Sequence, residues 1–418
     1  MHFLMTAFGS YGDVHPIAGL GRALCRRGHQ VTVIANPHFR SVVESVGADL
    51  VPLGTLQEYE ELTEHQELWH PIRGPILVLR IGVVKYLREL YGLIESNYRP
   101  GETVLVAHPL DLASRVYQEK YAAPMANAFL APLTFRSFYE TPKMSKMLTA
   151  SWVPRWLRRF QFWLADKLVV DPLLGPSVNE LRQELGLKPP VAGIFREWYF
   201  SPQLVLGMFP EWFAPTQPDW PEQIALTGFP LWDQPTEAGL PLEVEEFLRG
   251  GDAPIVFTPG SAMAHGQSFF QAALEACQLL QRRGILLTKY PQQLPAMLPE
   301  GVRHFSFVPF SQLLPRAAAV VHHGGIGSCA QGLAAGLPQL LMPMAYDQPD
   351  NAARLKRLGV AEALPPGKFR GPAVARALDR LLSSEKIHQR CHHWARQCSS
   401  AAALSAACAL LEGLHEST

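Results

Sequence analysis

The sequence predicts two doubly wound α/β domains facing each other across a cleft, and three observations carry this. Short apolar runs alternate with amphipathic helical stretches at close spacing in both halves of the 418-residue chain, the pattern of parallel sheets covered by helices. A glycine-bearing turn follows the first strand of each half, Gly9-Ser10-Tyr11-Gly12-Asp13 in one and Pro259-Gly260-Ser261 in the other. Between the halves, Phe209–Pro241 is irregular and holds seven prolines, which suits a linker. The expected layout is an N-terminal domain over 1–210, a linker over 211–241, a C-terminal domain over 242–395, and a helix over 396–418 that packs back on the first domain.

Taken in order, His2–Phe8 is an apolar run ended by the first glycine turn. Pro16–Arg27 follows with helical spacing, Ile17, Leu20 and Leu24 on one face, and Gly28 closes it. Val31–Ala35 is a strand, Phe39–Val46 a helix stopped by Gly47, and Leu50–Leu53 a third strand. Val104–Ala107 and Met125–Ala128 are the fourth and fifth. Residues 55–100 and 132–200 break the rhythm and read as insertions over the top of the sheet. In the second half Ile255–Thr258, Ile285–Lys289, His304–Val308, Ala318–His322 and Gln339–Pro343 are strands, with helices over Ser268–Arg283, Ser328–Ala335 and Ala352–Leu358. Two alanine-rich helical stretches end the chain.

Composition excludes several classes. With 48% hydrophobic and 18% charged residues, the chain fills buried cores and is not mainly disordered. Its 37 basic residues balance 37 acidic ones, which removes the electrostatic warrant for a nucleic-acid binder. Six cysteines without a CxxC pair fit neither a disulfide framework nor a zinc site and suit a reducing compartment. Met1–Ser10 lacks the charged start of a secretory signal. The long uncharged stretch Ala317–Tyr346 is broken by glycines and prolines, as a strand-loop-helix-loop-strand is and a membrane span is not. A cytoplasmic location is expected.

The sharpest chemical feature is Val321-His322-His323-Gly324-Gly325-Ile326-Gly327-Ser328. A strand delivers it and a helix begins as it ends, so uncovered backbone N–H groups and the helix N-terminus make a phosphate site, to which His323 and Ser328 add donors. The plainer reading is a tight turn that needs glycine. One strand later, Asp347-Gln348-Pro349-Asp350-Asn351 should reach the same rim. Asp347 accepts hydrogen bonds and Gln348 both accepts and donates, which suits vicinal hydroxyls; a capped helix start is the alternative. Gly325, Gly327 and Ala330 also match a dinucleotide fingerprint, with Asp347 standing 22 residues beyond Gly325, so a nicotinamide-dependent oxidoreductase is a rival reading. At the first glycine turn Asp13 is either a general base or a helix cap, and His15 is a second titratable group.

Jointly these features resemble the two-domain (GT-B) nucleotide-sugar glycosyltransferases, and within them the bacterial branch that glycosylates antibiotics, sterols and lipids. The resemblance covers nearly the whole chain and is most specific over Val320–Asn351. Phe213-Ala214-Pro215, Asp219-Trp220-Pro221 and Thr227-Gly228-Phe229-Pro230 look most like the rhamnosyltransferase B chains, which use dTDP-rhamnose and a hydroxyacid lipid. The resemblance implies that Asp13 is the catalytic base, where plant relatives carry histidine. It implies that Ser261, His323, Gly325, Gly327 and Ser328 meet the donor diphosphate, with His322 beside them. It places Phe307 and Val308 against the base and Asp347 and Gln348 against the donor sugar. The tryptophan with which plant relatives open the base-binding region is absent, so the base is uridine or thymidine. No D-x-D pair occurs, so no essential metal is expected. There is no separate cofactor; a UDP- or dTDP-sugar is the co-substrate, and the implied reaction is an inverting transfer to a hydroxyl of a hydrophobic acceptor. A nucleotide-sugar epimerase or a non-catalytic nucleotide-sugar binder of the same architecture is the alternative.

One segment fits two readings. Trp152, Trp156 and Trp163 lie among Arg155, Arg158 and Arg159 at helical spacing. The first reading is a lid whose tryptophans line the acceptor pocket or pack in the core. The second is a basic amphipathic stretch lying on a membrane as a peripheral contact.

Overall fold

A computed structural model of the chain describes residues 1–144, 147–234 and 239–416. Ser145, Lys146, 235–238 and 417–418 lie outside the described residues, and with them Pro235 of the proline-rich stretch.

Strands β1 (His2–Thr6), β2 (Gln30–Ala35), β3 (Asp49–Pro52), β4 (Thr103–Ala107), β5 (Met125–Phe129), β6 (Leu204–Gly207) and β7 (Ile224–Leu226) form one sheet in the order β3-β2-β1-β4-β5-β6-β7. Strands β8 (Ile255–Thr258), β9 (Gly284–Leu287), β10 (Val302–Phe305), β11 (Ala319–His322), β12 (Gln339–Leu341) and β13 (Ala361–Ala363) form the second, in the order β10-β9-β8-β11-β12-β13. Every pairing is parallel. The strand order reverses between β1 and β4 in one sheet and between β8 and β11 in the other. Parallel sheets open a crevice at such switch points, beyond the carboxyl ends of the strands. The two glycine turns follow β1 and β8, and the His-Gly-Gly loop follows β11, so each lies at a switch point.

The doubly wound reading therefore holds, with differences in the elements. β6, β7 and β13, of four, three and three residues, escaped sequence reading, although strands as short were read elsewhere in the chain. β7 lies inside the stretch expected to be a linker. The first helix begins at Tyr11 rather than Pro16 and carries Pro16 within it. Proline suits a helix start because its missing N–H is not needed there; here the earlier start comes from the cap at Ser10. The strand read over His304–Val308 ends at Phe305, which leaves Phe307 and Val308 on a loop.

One apolar cluster fills the N-terminal sheet's far face and continues through Phe213 and Phe229 into Leu355, Leu358 and Cys391 of the second domain. The helix Ser400–Glu416 crosses back to the first domain, where Ala407, Cys408 and Leu411 share a core with Val14 and Leu24. Arg27 closes that contact on Glu412 at 2.7 Å. Among the described residues no helix is long and apolar enough to cross a membrane.

Candidate active site

On the N-terminal side the sequence admitted a cap or a base at Asp13, and the structure puts the two demands on different oxygens. Ser10 caps the helix Tyr11–Arg26, and Asp13 completes a capping box, its Oδ2 accepting the Ser10 N–H at 2.8 Å. Gly9 is required here: its φ is +101° and a Cβ would lie 2.3 Å from Asp13 Oδ2. Oδ1 instead faces Nε2 of His108 at 3.8 Å, in a carboxylate 38% exposed to the cleft.

His108, which sequence reading missed, follows β4 across the switch point. Its Nδ1 accepts the Leu110 N–H at 3.2 Å. A neutral ring therefore carries its proton on Nε2, toward Asp13. The His108 N–H donates to Thr6 Oγ1, whose hydroxyl donates to Asp111 Oδ2, both at 2.9 Å. Asp111 is pushed up from the usual carboxylate range by burial. The findable signal was a histidine directly after the strand neighbouring β1. His15 packs edge-on against Tyr11 and Trp232. Burial, and then the charge of Lys289, lower its pKa to about 4, so its ring is neutral near pH 7.

On the opposite side, Gly325 is the N-cap of the helix Ile326–Ala334 and no side chain of its own caps it. The imidazole of His323 sits between two glycines. A Cβ on Gly260 would lie 2.9 Å from its Cε1, and one on Gly325 would lie 2.5 Å from its Nε2. Burial, and next the neighbouring His322, bring the His323 pKa to about 3. Its Nδ1 is buried without a hydrogen-bond partner. Gly327 faces the other domain across a short gap, its missing Cβ 3.8 Å from the Gly12 carbonyl.

His322 does not join this site. Its Nε2 meets Gln339 Oε1 at 2.9 Å, its Nδ1 accepts the Gly324 N–H at 3.1 Å, and the ring is fully buried. It holds the loop in shape from behind. Of the two adjacent histidines, the strand's alternation turns one into the core and the loop turns the other into the cleft.

Asp347 Oδ2 accepts from the Ile326 N–H at 3.2 Å and from Asn351 Nδ2 at 2.7 Å. The loop carboxylate thus ties its own loop to the helix N-terminus. Burial first, and also the charge of Asp13, push its pKa up to about 6, against the Asn351 hydrogen bond. Gln348 Oε1 is occupied by the N–H groups of Met344 (2.8 Å) and Ala345 (3.2 Å), which leaves its amide N–H groups to offer. Asp350 is turned away, paired with Arg354 at 2.7 Å. Tyr346, at φ +57°, donates its hydroxyl to the Leu68 carbonyl at 2.6 Å. Trp69 donates to the Ala262 carbonyl at 3.4 Å and meets the edges of His323 and Tyr346. The first insertion therefore reaches over the cleft and touches the loops of the second domain.

One cavity of about 480 Å³ lies between the domains, with Asp13, His15 and His108 on one wall and His323 and Asp347 on the other; His322, Asp111, Asp350 and Asn351 lie outside its lining. Ser261, Ser328, Gly325, Gly327 and Gln348 share the second wall, with Phe307 and Val308 at its far end. Phe307 is 44% exposed, a ring free on one face, while Val308 is 2% exposed and packed beneath. The opposite end is apolar, with Val78, Ile81, Tyr86, Leu110 and Leu130. The tryptophans in the cavity are Trp69 and Trp232. Trp152, Trp156 and Trp163 are neither in it nor in the core: they are 78%, 70% and 45% exposed, which overturns the lid reading of that segment. Among the described residues no three or more His, Cys, Asp or Glu side chains are grouped to hold a metal ion.

Comparison with known proteins agrees with the two-sheet fold. Residues 284–403 match the family described as erythromycin biosynthesis protein CIII-like, C-terminal domain. Over 422 residues, 99% of this chain and 97% of the relative, the chain is 29% identical to the O-mycaminosyltylonolide 6-deoxyallosyltransferase of Streptomyces fradiae. The solved glycosyltransferase of kitacinnamycin superposes with a TM-score of 0.74 at 22% identity, covering 99% of this chain and 98% of that one. The glycosyltransferase VinC in complex with dTDP superposes with a TM-score of 0.69 at 18% identity, over 100% of both chains.

Proposed function

Since the chain is a GT-B glycosyltransferase, we propose that it transfers a hexose from a thymidine or uridine diphosphate sugar to a hydroxyl of a hydrophobic acceptor, with inversion and without a metal. The observation that carries this is the placement of the Asp13 carboxylate and the His323 glycine loop on facing walls of one cavity. Asp13 Oδ1 takes the proton of the acceptor hydroxyl while the hydroxyl oxygen attacks the anomeric carbon. The bond from that carbon to the β-phosphate oxygen breaks, and the departing diphosphate keeps the electron pair. Attack from the face opposite the nucleotide inverts the centre. His108 Nε2–H steadies Asp13 before the proton arrives.

Charge growing on the diphosphate meets the N-terminus of the helix Ile326–Ala334, the Ser328 hydroxyl and a ring N–H of His323. These donors supply what a metal supplies elsewhere. The Phe307 ring stacks on the base, and Asp347 with the free amide of Gln348 holds sugar hydroxyls. The apolar end near Val78 and Ile81 supports a hydrophobic acceptor, and the dTDP held by VinC favours thymidine over uridine. Of the segments most like rhamnosyltransferase B chains, Phe229 and Pro230 line the cavity, whereas Asp219 accepts from Ser137 and Phe138 and Phe213 lies in the core.

The test is turnover of dTDP- and UDP-sugars with a panel of hydroxylated hydrophobic acceptors. The anomeric configuration of the product is read by NMR, with and without EDTA. Transfer with inversion that survives EDTA is expected. Retention, or loss in EDTA restored by magnesium, would contradict the mechanism. Donor binding with no transfer to any acceptor would favour the epimerase or binding-protein alternative.

A further inference from the structure

We propose that the helix Arg155–Ala165 and the turn before it form a surface that docks on an anionic lipid bilayer. The helix shows opposite faces of different character. Arg158 and Phe162 are buried, and Arg158 donates to the carbonyls of Phe138 and Tyr139, at 3.1 and 3.0 Å, and to those of Ala150 and Ser151, at 3.0 and 2.6 Å. That arginine anchors the element from its buried side, opposite the tryptophans. On the outer face Trp156, Phe160 and Trp163 fall on successive turns. Trp156 is 70% exposed, Phe160 48% and Trp163 45%, with the last two rings stacked at 5.6 Å. Trp152, at 78%, extends the ridge ahead of Pro154, and Leu168, at 67%, extends it beyond the helix.

So much exposed apolar surface on one element is unusual for a face that meets only water. The charges choose the occupant. From Leu148 to Val169 the exposed charged side chains are Arg155, Arg159 and Lys167, of which Lys167 lies 3.7 Å from Asp171 and the two arginines carry the excess. The acid there, Asp166, is buried and paired with Arg136. In a chain whose charges balance overall, this local excess is complementary to anionic headgroups, and indole rings settle at the boundary of headgroup and acyl chain.

The inference does not rest on the transfer reaction, and its test uses neither donor nor acceptor. The whole chain is mixed with phosphatidylcholine vesicles, with and without phosphatidylglycerol, and followed by co-sedimentation and tryptophan fluorescence. Binding to the anionic vesicles with a blue-shifted emission is expected, weakening as salt rises. The triple variant Trp152→Ser, Trp156→Ser, Trp163→Ser should bind at least tenfold more weakly, with an unchanged circular dichroism spectrum because these side chains are exposed. If the triple variant misfolds, Trp152→Ser alone carries the comparison, since Trp152 lies outside the helix. No binding to anionic vesicles at low ionic strength overturns the proposal, as does binding that the substitutions leave intact. Concentration-dependent self-association that the substitutions abolish, without vesicle binding, overturns it in favour of a second copy on this face.

Discussion

Asp13 and Asp347 are both carboxylates on the cleft, and their surroundings give them different work. Asp13 holds a capping-box contact through one oxygen and presents the other to His108. Asparagine accepts the same backbone N–H but cannot accept a proton from the substrate. Asp13→Asn should therefore change stability by no more than about 1 kcal/mol, keep dTDP affinity, and lose roughly 10²–10⁴-fold in turnover. Near-normal turnover would move the base elsewhere, with His15 the next residue to test. Asp347 is pushed up from 3.8 to about 6 by burial and by Asp13. Between those values the folded chain holds this proton more firmly than the unfolded one. Its contribution thus favours folding at low pH and is lost as pH rises through about 6. The proposed donor recognition by Asp347 runs the other way, because the accepting carboxylate forms above that value. The donor KM should rise as pH falls through about 6, and Asp347→Asn should flatten that limb while raising the KM throughout. A wild-type donor KM that is flat across this range would take sugar recognition away from Asp347. Residue types and spacing made both carboxylates visible in the sequence. They could not show which oxygen does what, because that depends on Ser10, His108 and Ile326 in three dimensions.

The elements around His323 show why the glycine loop is legible in sequence yet incompletely so. Three of its glycines read as a phosphate site, but sequence alone does not say which glycine serves backbone freedom and which serves space. Gly324 has φ +98° and needs the left-handed region. Gly325 has φ −60°, which alanine adopts without strain, so its glycine is there for the His323 ring 2.5 Å from a would-be Cβ. Gly325→Ala should leave the helix Ile326–Ala334 intact, displace His323, and weaken dTDP binding by about tenfold or more. That is the ~1.5–3 kcal/mol of a hydrogen bond to a charged group. Unchanged dTDP affinity in calorimetry would remove His323 from the phosphate site. His108 and Trp69 were not legible. His108 belongs to no motif until strand order brings β4 beside β1, and Trp69 lies in an insertion whose path over the cleft no local pattern fixes. The segment with Trp152, Trp156 and Trp163 was legible as amphipathic but not as outward-facing. A periodic stripe has the same spacing whether it meets a core or a solvent.

At the scale of the whole molecule, the stretch that reads as a linker is a seam. Trp212 stacks on Trp394 at 4.9 Å, and Phe213 packs on Phe229 while its carbonyl accepts from Arg354 and Arg357 at 3.4 and 3.2 Å. Asp233 accepts the N–H and hydroxyl of Ser311 of the second domain, both at 2.7 Å. Prolines announce the irregular backbone but not the aromatic side chains it carries into the contact. On the same side, Glu140 of the second insertion meets Arg354 at 2.9 Å and Arg357 at 2.6 Å. The Lys143 N–H donates to Asp350 at 2.8 Å. Apolar burial and partly exposed ion pairs tie the domains along this side, while Trp69 and Tyr346 bridge them over the cleft. The terminal helix Ser400–Glu416 adds a second tie through Cys408 and Leu411. Such continuity should make the chain unfold in one transition, so a ligand that touches mainly the second domain stabilises both. At 100 times its Kd, dTDP adds ~2.7 kcal/mol. Unfolding entropy of ~2.1 cal/mol/K per residue makes that a rise of about 3 °C for a chain this long. Calorimetry should show one peak moving by that amount. Two peaks, of which dTDP moves one, would mean the seam does not couple the domains. Phe213→Ala, which removes a fully buried ring at the seam, should split the single peak, and dTDP should then shift the transition of the second domain alone.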